Sequence, residues 1–223
     1  MPRFIRRRKQ TPVSQEPQVV DKTGANKGKK KQILFNDPIH NQVVDVDSNE
    51  EWYVYAWIVE LQQSGLIKEF EYQPESLPLS PKFEYQPYTF PGHKSQKAKF
   101  LFHPHVYTAD FKFTVFVDTE KALKYFTQVF KIDKRAVHVD PETGRVVADI
   151  WIDVKGTWMR QGEAFSINQK LVFEKHGVYI NKFIPKKAFK LLGCPKLATQ
   201  TPTGRASKAF GGYKFASTVW ESI

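Results

Sequence analysis

The 223-residue chain has a single cysteine, Cys194. A lone thiol excludes an intramolecular disulfide framework and any zinc site built from several thiolates. It fits a reducing compartment. No apolar run approaches the ~18 residues needed to cross a membrane, so no membrane partner is expected. The basic N-terminus lacks the apolar stretch that a secretory signal carries after it. Nucleotide-binding fingerprints are missing as well. Gly24 and Gly28 enclose three residues where a phosphate loop needs four, and no Ser or Thr follows the lysine. No RNA-binding module is recognisable, which ranks RNA below DNA as a partner.

Acidic residues are scarce at both ends. Residues 1–31 hold ten basic and two acidic side chains, a net +8, and residues 186–223 hold seven basic and one acidic, a net +6. The middle, 32–185, has 17 basic and 20 acidic residues, a net −3. The N-terminal arm lacks apolar periodicity and reads as disordered when unbound. Arg6, Arg7, Arg8, Lys29, Lys30 and Lys31 would contact phosphate backbones without reading sequence, with steep salt dependence. A solubilising tail or a nuclear localisation signal has the same composition.

What is present is a core: 41% hydrophobic and 14% aromatic residues, enough for one sizeable domain. Ser48 to Gln63 reads as a helix with Trp52, Tyr55, Ala56 and Val59 on one stripe, stopped at Gly65. Phe70-Glu71-Tyr72-Gln73-Pro74 recurs as Phe83-Glu84-Tyr85-Gln86-Pro87. Each copy alternates like a half-buried strand and ends at a proline, so both are expected as paired or edge strands. Val106 to Val117 reads as a further strand region and Thr119 to Phe130 as a helix with Ala122, Leu123, Phe126 and Phe130 inward. Ala136 to Lys155 reads as a hairpin turning at Asp140 to Gly144. Gly162 to His176 reads as a helix and Val178 to Ile184 as a last strand. The expected fold class is α/β (α+β), a mixed central sheet flanked by helices.

Asp153-Val154-Lys155 puts a carboxylate and an ammonium on one face of a strand whose other face, Ile150, Ile152 and Val154, is apolar. Asp110 lies on the polar face of the earlier strand region. If the strands are neighbours, the two aspartates can share a divalent cation. Magnesium suits one or two carboxylates completed by waters and phosphate oxygens. Lys155 would then orient the attacking water or neutralise the transition state, and Glu51 could supply a third carboxylate. An acid-x-Lys triplet alone carries little, since this composition yields nearly three by chance. The information lies in the ordered set Glu51, Asp110, Asp153, Lys155.

That set resembles the PD-(D/E)xK nuclease superfamily, close to small phage-encoded endonucleases related to Holliday-junction resolvases. Asp47-Ser48-Asn49-Glu50-Glu51 is similar to the family's helix start. Gly65-Leu66-Ile67 with Phe70 to Pro74 resembles its Gly-x-Ile plus Gln-Pro segment. Tyr107-Thr108-Ala109-Asp110-Phe111 resembles its Tyr-x-(Pro/Ala)-Asp-Phe strand, with Ala109 where Pro is more usual. Asp153-Val154-Lys155-Gly156 resembles the catalytic core motif. Lys170-Leu171, with Gly177 after it, resembles the following helix. The match spans roughly 45–184, and the 43 residues from Asp110 to Asp153 are more than the family usually has.

The resemblance implies a restriction-endonuclease-like core at 32–185 between basic flexible tails, 1–31 and 186–223. It implies Mg²⁺, with Mn²⁺ substituting, at Asp110, Asp153 and Glu51, Lys155 as catalytic lysine and Lys170 on phosphate. It further implies DNA as substrate, branched forms included, and a homodimer, although no interface signature is legible. The expected location is the cytoplasm, that of the host for a phage protein, or the virion.

Blander readings stand beside these. Asp153 and Lys155 also fit an exposed ion pair. Glu51 fits a Ser-x-x-Glu capping box begun by Ser48. Asp110 fits a strand-end cap, Lys170 a solvated helix face, and His103-Pro104-His105 a loop. Trp151 and Trp158 fit core packing as well as base stacking. As a whole, the chain also fits a non-catalytic nucleic-acid or virion component that reuses a nuclease-like fold.

Overall fold

A computed structural model describes residues 33–94, 96–157 and 162–223. Arg6, Arg7, Arg8, Lys29, Lys30 and Lys31 of the expected arm, and Trp158, lie outside the described residues. In chain order, β1 (Ile33–Asp37) and β2 (Gln42–Val46) form a hairpin ahead of α1 (Asn49–Gln63). Next come β3 (Ile67–Tyr72), β4 (Leu77–Ser80), β5 (Phe83–Tyr85), β6 (Lys99–Phe102), β7 (His105–Tyr107) and β8 (Phe111–Phe116). They are followed by α2 (Glu120–Thr127), β9 (Val137–Val139), β10 (Val146–Val154), α3 (Gly162–His176), β11 (Ile180–Phe183), α4 (Pro185–Leu192) and α5 (Ala216–Ser222).

The central sheet runs β11-β10-β8-β3, with β9 beside the start of β10. β11 is parallel to β10 and the other pairings are antiparallel, so the sheet is mixed. Alternation divides β10 between two cores. Ala148, Ile150, Ile152, Phe111, Phe113 and Val115 face α1, α2 and α4. Trp151, Tyr107, Ala109 and Ile180 pack with Val172 of α3 and Leu79 of β4 on the opposite face. Helices therefore cover both faces of the sheet.

Ser48 starts α1 by accepting from the Glu51 N–H, and Gly65 ends it at φ 74°, where Leu66 N–H reaches back to the Leu61 carbonyl. The single expected stripe understates this helix: every residue from Glu51 to Val59 is buried. A helix that is apolar nearly all round belongs in the middle of a domain. The β1–β2 hairpin, the sheet and the C-terminal segment surround it. In α2, Leu123 is exposed and Tyr125 takes the buried place expected for it.

Two other expectations change. Val106 to Val117 is not one strand: β7 pairs with β4, β8 pairs with β10, and the chain breaks at Thr108 to Asp110. The two Phe-Glu-Tyr copies are edge strands, as expected, but not of one sheet: the first is β3 of the central sheet and the second is β5 in a separate ribbon. Residues 186–223 are no flexible tail, and the folded unit runs on to the last residue instead of closing at 185. Phe189, Leu192, Cys194, Ala198, Phe210 and Ala216 are part of the main core. Tyr125 donates to the Leu192 carbonyl at 2.7 Å, and Lys196 N–H donates to Glu60 at 2.7 Å. Lysines, glycines and prolines between those apolar residues dominate the composition of the segment and hide its packing.

Candidate active site

The site forms where β10 leaves the sheet. Its alternation ends at Asp153, Val154 and Lys155, and Lys155 N–H is still held by the Phe183 carbonyl of β11 at 2.8 Å. The last ladder pair on the other side is Ile152 with Phe111. Asp110, just outside that ladder, still bonds to β10 on either side of Asp153. Two backbone bonds lock Asp110 there: its N–H donates to the Ile152 carbonyl at 3.1 Å, and its own carbonyl accepts from Gln73 at 2.8 Å. Its Oδ2 accepts from the Val154 N–H at 2.5 Å.

The acids feel each other's charge. The Asp110 carboxyl is pushed well above the usual carboxylate range, first by burial, then by the Asp153 and Glu51 carboxylates. Asp153 is close enough to hydrogen bond its neutral form. Lys155 Nζ donates to Asp153 Oδ1 at 2.6 Å, and only a fifth of the Lys155 side chain is exposed. This is not the exposed surface pair of the blander reading.

Glu51 is buried at the start of α1. Ser48 Oγ donates to its Oε1 at 2.7 Å and the Tyr72 hydroxyl to its Oε2 at 2.8 Å. Half of the expected capping box is present, in the bond from Glu51 N–H to Ser48 Oγ at 3.2 Å. The carboxylate takes the serine hydroxyl and a tyrosine. A cleft of about 320 Å³ is lined by Ser48, Glu50, Glu51, Asp110, Val154, Lys155 and Gly156. Lys170 is exposed on α3 and does not line it. His103 lies in a loop with its ring 4.5 Å from that of Phe100 and tilted to it, whereas His105, expected in the same loop, begins β7.

Several contributors escaped the sequence reading. The Tyr107 hydroxyl is buried without a hydrogen-bond partner among the described residues. Its ionisation is pushed up by burial, then by the nearby Asp153 and Asp110 carboxylates, so it is a neutral hydroxyl beside the acid pair. Tyr72, a strand residue by pattern, orients Glu51. Lys182 of β11 stands in register beside Asp153. A second cavity of about 280 Å³ shares Glu50, Lys155 and Gly156 with the cleft and is closed by Lys186, Ser207 and Phe210. Tyrosine beside an aspartate motif was the one available signal.

No family model, curated protein or solved structure matches the chain.

Among the described residues, no group of three or more His, Cys, Asp and Glu side chains is arranged to hold a metal by itself. Magnesium does not require three, because one or two carboxylates suffice when water and phosphate complete the shell. Two aspartates that disfavour each other's charge, with an orphaned hydroxyl beside them, form a donor set that fits such an ion. No helix among the described residues is long and apolar enough to cross a membrane.

Proposed function

We propose that this chain is a metal-dependent endonuclease of the PD-(D/E)xK type that hydrolyses DNA phosphodiester bonds, branched or otherwise non-B DNA included. The observation that carries the reading is the Asp110 carboxylate bonded to the Val154 N–H, next to Asp153, with Asp153 bonded to Lys155 at 2.6 Å. Asp110 and Asp153 would hold Mg²⁺, or Mn²⁺ in its place. When bound, such an ion supplies an acidified water and stabilises charge on phosphorus.

The chain's own residues do the rest. Lys155, fixed by Asp153, presents an ammonium to the cleft, where it offsets charge growing on a phosphate oxygen. The Val154 N–H fixes Asp110. Ser48 and Tyr72 hold Glu51 in one orientation as a further acid at the cleft wall. Lys182 and Lys186 add positive charge beside the cleft for the DNA backbone.

The test incubates purified protein with labelled linear, nicked and four-way DNA, in Mg²⁺ and in EDTA. Cleavage in Mg²⁺ that Asp153→Ala abolishes is expected. Equal, negligible cleavage by wild type and Asp153→Ala in both Mg²⁺ and Mn²⁺ ends the enzymatic reading.

One observation favours a second reading, a non-catalytic nucleic-acid or virion component on a nuclease-like fold. Both Glu51 oxygens are already engaged, which leaves two acids for a metal. That reading predicts DNA binding that survives Asp110→Ala and Asp153→Ala with no cleavage by wild type.

A further inference from the structure

β5 and β6 extend the hairpin begun by β4 and β7 and have no covered face. All seven of their residues are exposed, and four of the seven are aromatic. A two-stranded ribbon of this size is marginal in water, and rings on it gain nothing from being left wet.

Register sorts the side chains. Phe83 lies opposite Phe102, and Tyr85 lies opposite Lys99. Alternation along β5, with an irregularity in β6 at Leu101 that restores the pairing, gathers Phe83, Phe102, Tyr85 and Lys99 on one face. The three rings are 41–47% exposed, and the Phe83 and Phe102 centroids are 4.8 Å apart. On the other face Phe100 sits under Lys82, whose Nζ is 5.9 Å from the ring centre.

Exposed apolar surface of this kind marks an interaction site. Charge identifies the partner. Residues 81–105 carry four lysines and one glutamate, a local +3 within a middle segment that is −3 as a whole. A second copy would set Lys82 and Lys99 against their own counterparts. Protein interfaces are depleted of lysine. Rings interleaved with lysines match a polyanion that also carries flat apolar faces.

We propose that the β5–β6 ribbon is a stacking platform for the unpaired bases of a nucleic-acid strand, with Lys99 and Lys82 on its phosphates. Successive rings on one strand stand ~7 Å apart, room for bases of an extended strand to lie on or between them. β7 follows this ribbon in the chain and ends at Tyr107, three residues before Asp110. The proposal goes beyond cleavage and holds with or without metal chemistry.

The experiment is fluorescence anisotropy of the full chain in EDTA, with labelled oligothymidylate, oligouridylate and a blunt duplex. Salt is kept high enough to suppress contacts made through charge alone. Phe83→Ala, Tyr85→Ala and Phe102→Ala should each lower single-strand affinity on the order of tenfold. Duplex affinity should not change, and Tyr85→Phe, which keeps the ring, should bind like wild type. The two oligonucleotides show whether DNA or RNA is preferred, and thermal melts establish that the exposed substitutions leave the fold intact. A triple-alanine variant that binds single strands like wild type overturns the proposal. So does a wild-type dimer in sedimentation that the triple variant dissolves, which would assign the ribbon to a second copy. Loss of cleavage in Asp153→Ala with ring-dependent binding intact separates this site from the nuclease reading.

Discussion

Asp110 accepts a 2.5 Å hydrogen bond from the backbone N–H of Val154, the residue between Asp153 and Lys155. One bond thus joins the two strands at the point where their acids meet. Asp110→Ala leaves that buried N–H unpaired and should cost about 1–3 kcal/mol in denaturant melts. Asp110→Asn keeps an acceptor and should not. A loss as large in Asp110→Asn would show that the charge, not the bond, does the structural work.

Proton linkage gives a second expectation. With no metal bound, the folded state holds the Asp110 proton up to about 8, whereas the unfolded chain releases it in the ordinary carboxylate range. Between those limits the native state binds more protons, so this contribution to stability falls as pH rises. Thermal melts in EDTA should show wild type weakening across that window and Asp110→Asn weakening less. Added Mg²⁺ should restore wild type at the alkaline end and leave Asp110→Asn largely unmoved. Parallel melting curves for the two proteins would refute the linkage.

Lys155→Gln removes the ammonium while keeping a side chain of similar length. Cleavage should fall by roughly two to three orders of magnitude, the usual cost of deleting a charge-stabilising donor. Binding of four-way DNA in EDTA should change little. Gel-based rates and anisotropy read the two effects separately.

The buried Tyr107 hydroxyl lies close to Asp153 but makes no well-formed hydrogen bond among the described residues. Replacing it by Phe should therefore stabilise the protein in EDTA, by about 1 kcal/mol. Destabilisation on calorimetry would mean that the hydroxyl has a partner in solution.

Gly193 ends α4 at φ 79°, and a Cβ there would fall 2.6 Å from the Ala216 backbone. Gly193→Ala should cost about 3 kcal/mol or more, because both the dihedral and the contact oppose it. An unchanged melting temperature would show that the C-terminal segment does not dock as described.

The central elements were legible because strong periodic patterns coincide with strong punctuation. Gly65 after α1, Asp140 to Gly144 before β10, and alternation from Ala148 to Val154 each fix an element without tertiary help. Asp153 and Lys155 on one face follow from strand geometry alone. Their neighbour was harder to see. β7 and β8 form one alternating run in sequence, and only the competition of β4 and β10 for different parts of it creates the break on which Asp110 sits. Tyr72 and Tyr107 looked like ordinary strand aromatics, since a hydroxyl's target depends on contacts made across dozens of residues. The C-terminal segment misled because net charge counts lysines that stay in solvent and ignores the few rings that do not.

The order in which α1 is made and covered has a biosynthetic consequence. Trp57, Ile58 and Leu61 belong to a helix translated in the first third of the chain, yet part of their cover is Phe189, Leu192 and Ala198. On the ribosome that helix must wait, greasy and unsheathed, through well over a hundred codons before its lid is synthesised. Such a nascent chain is a natural client for chaperones, and a slow translation stretch late in the message would lengthen its exposure.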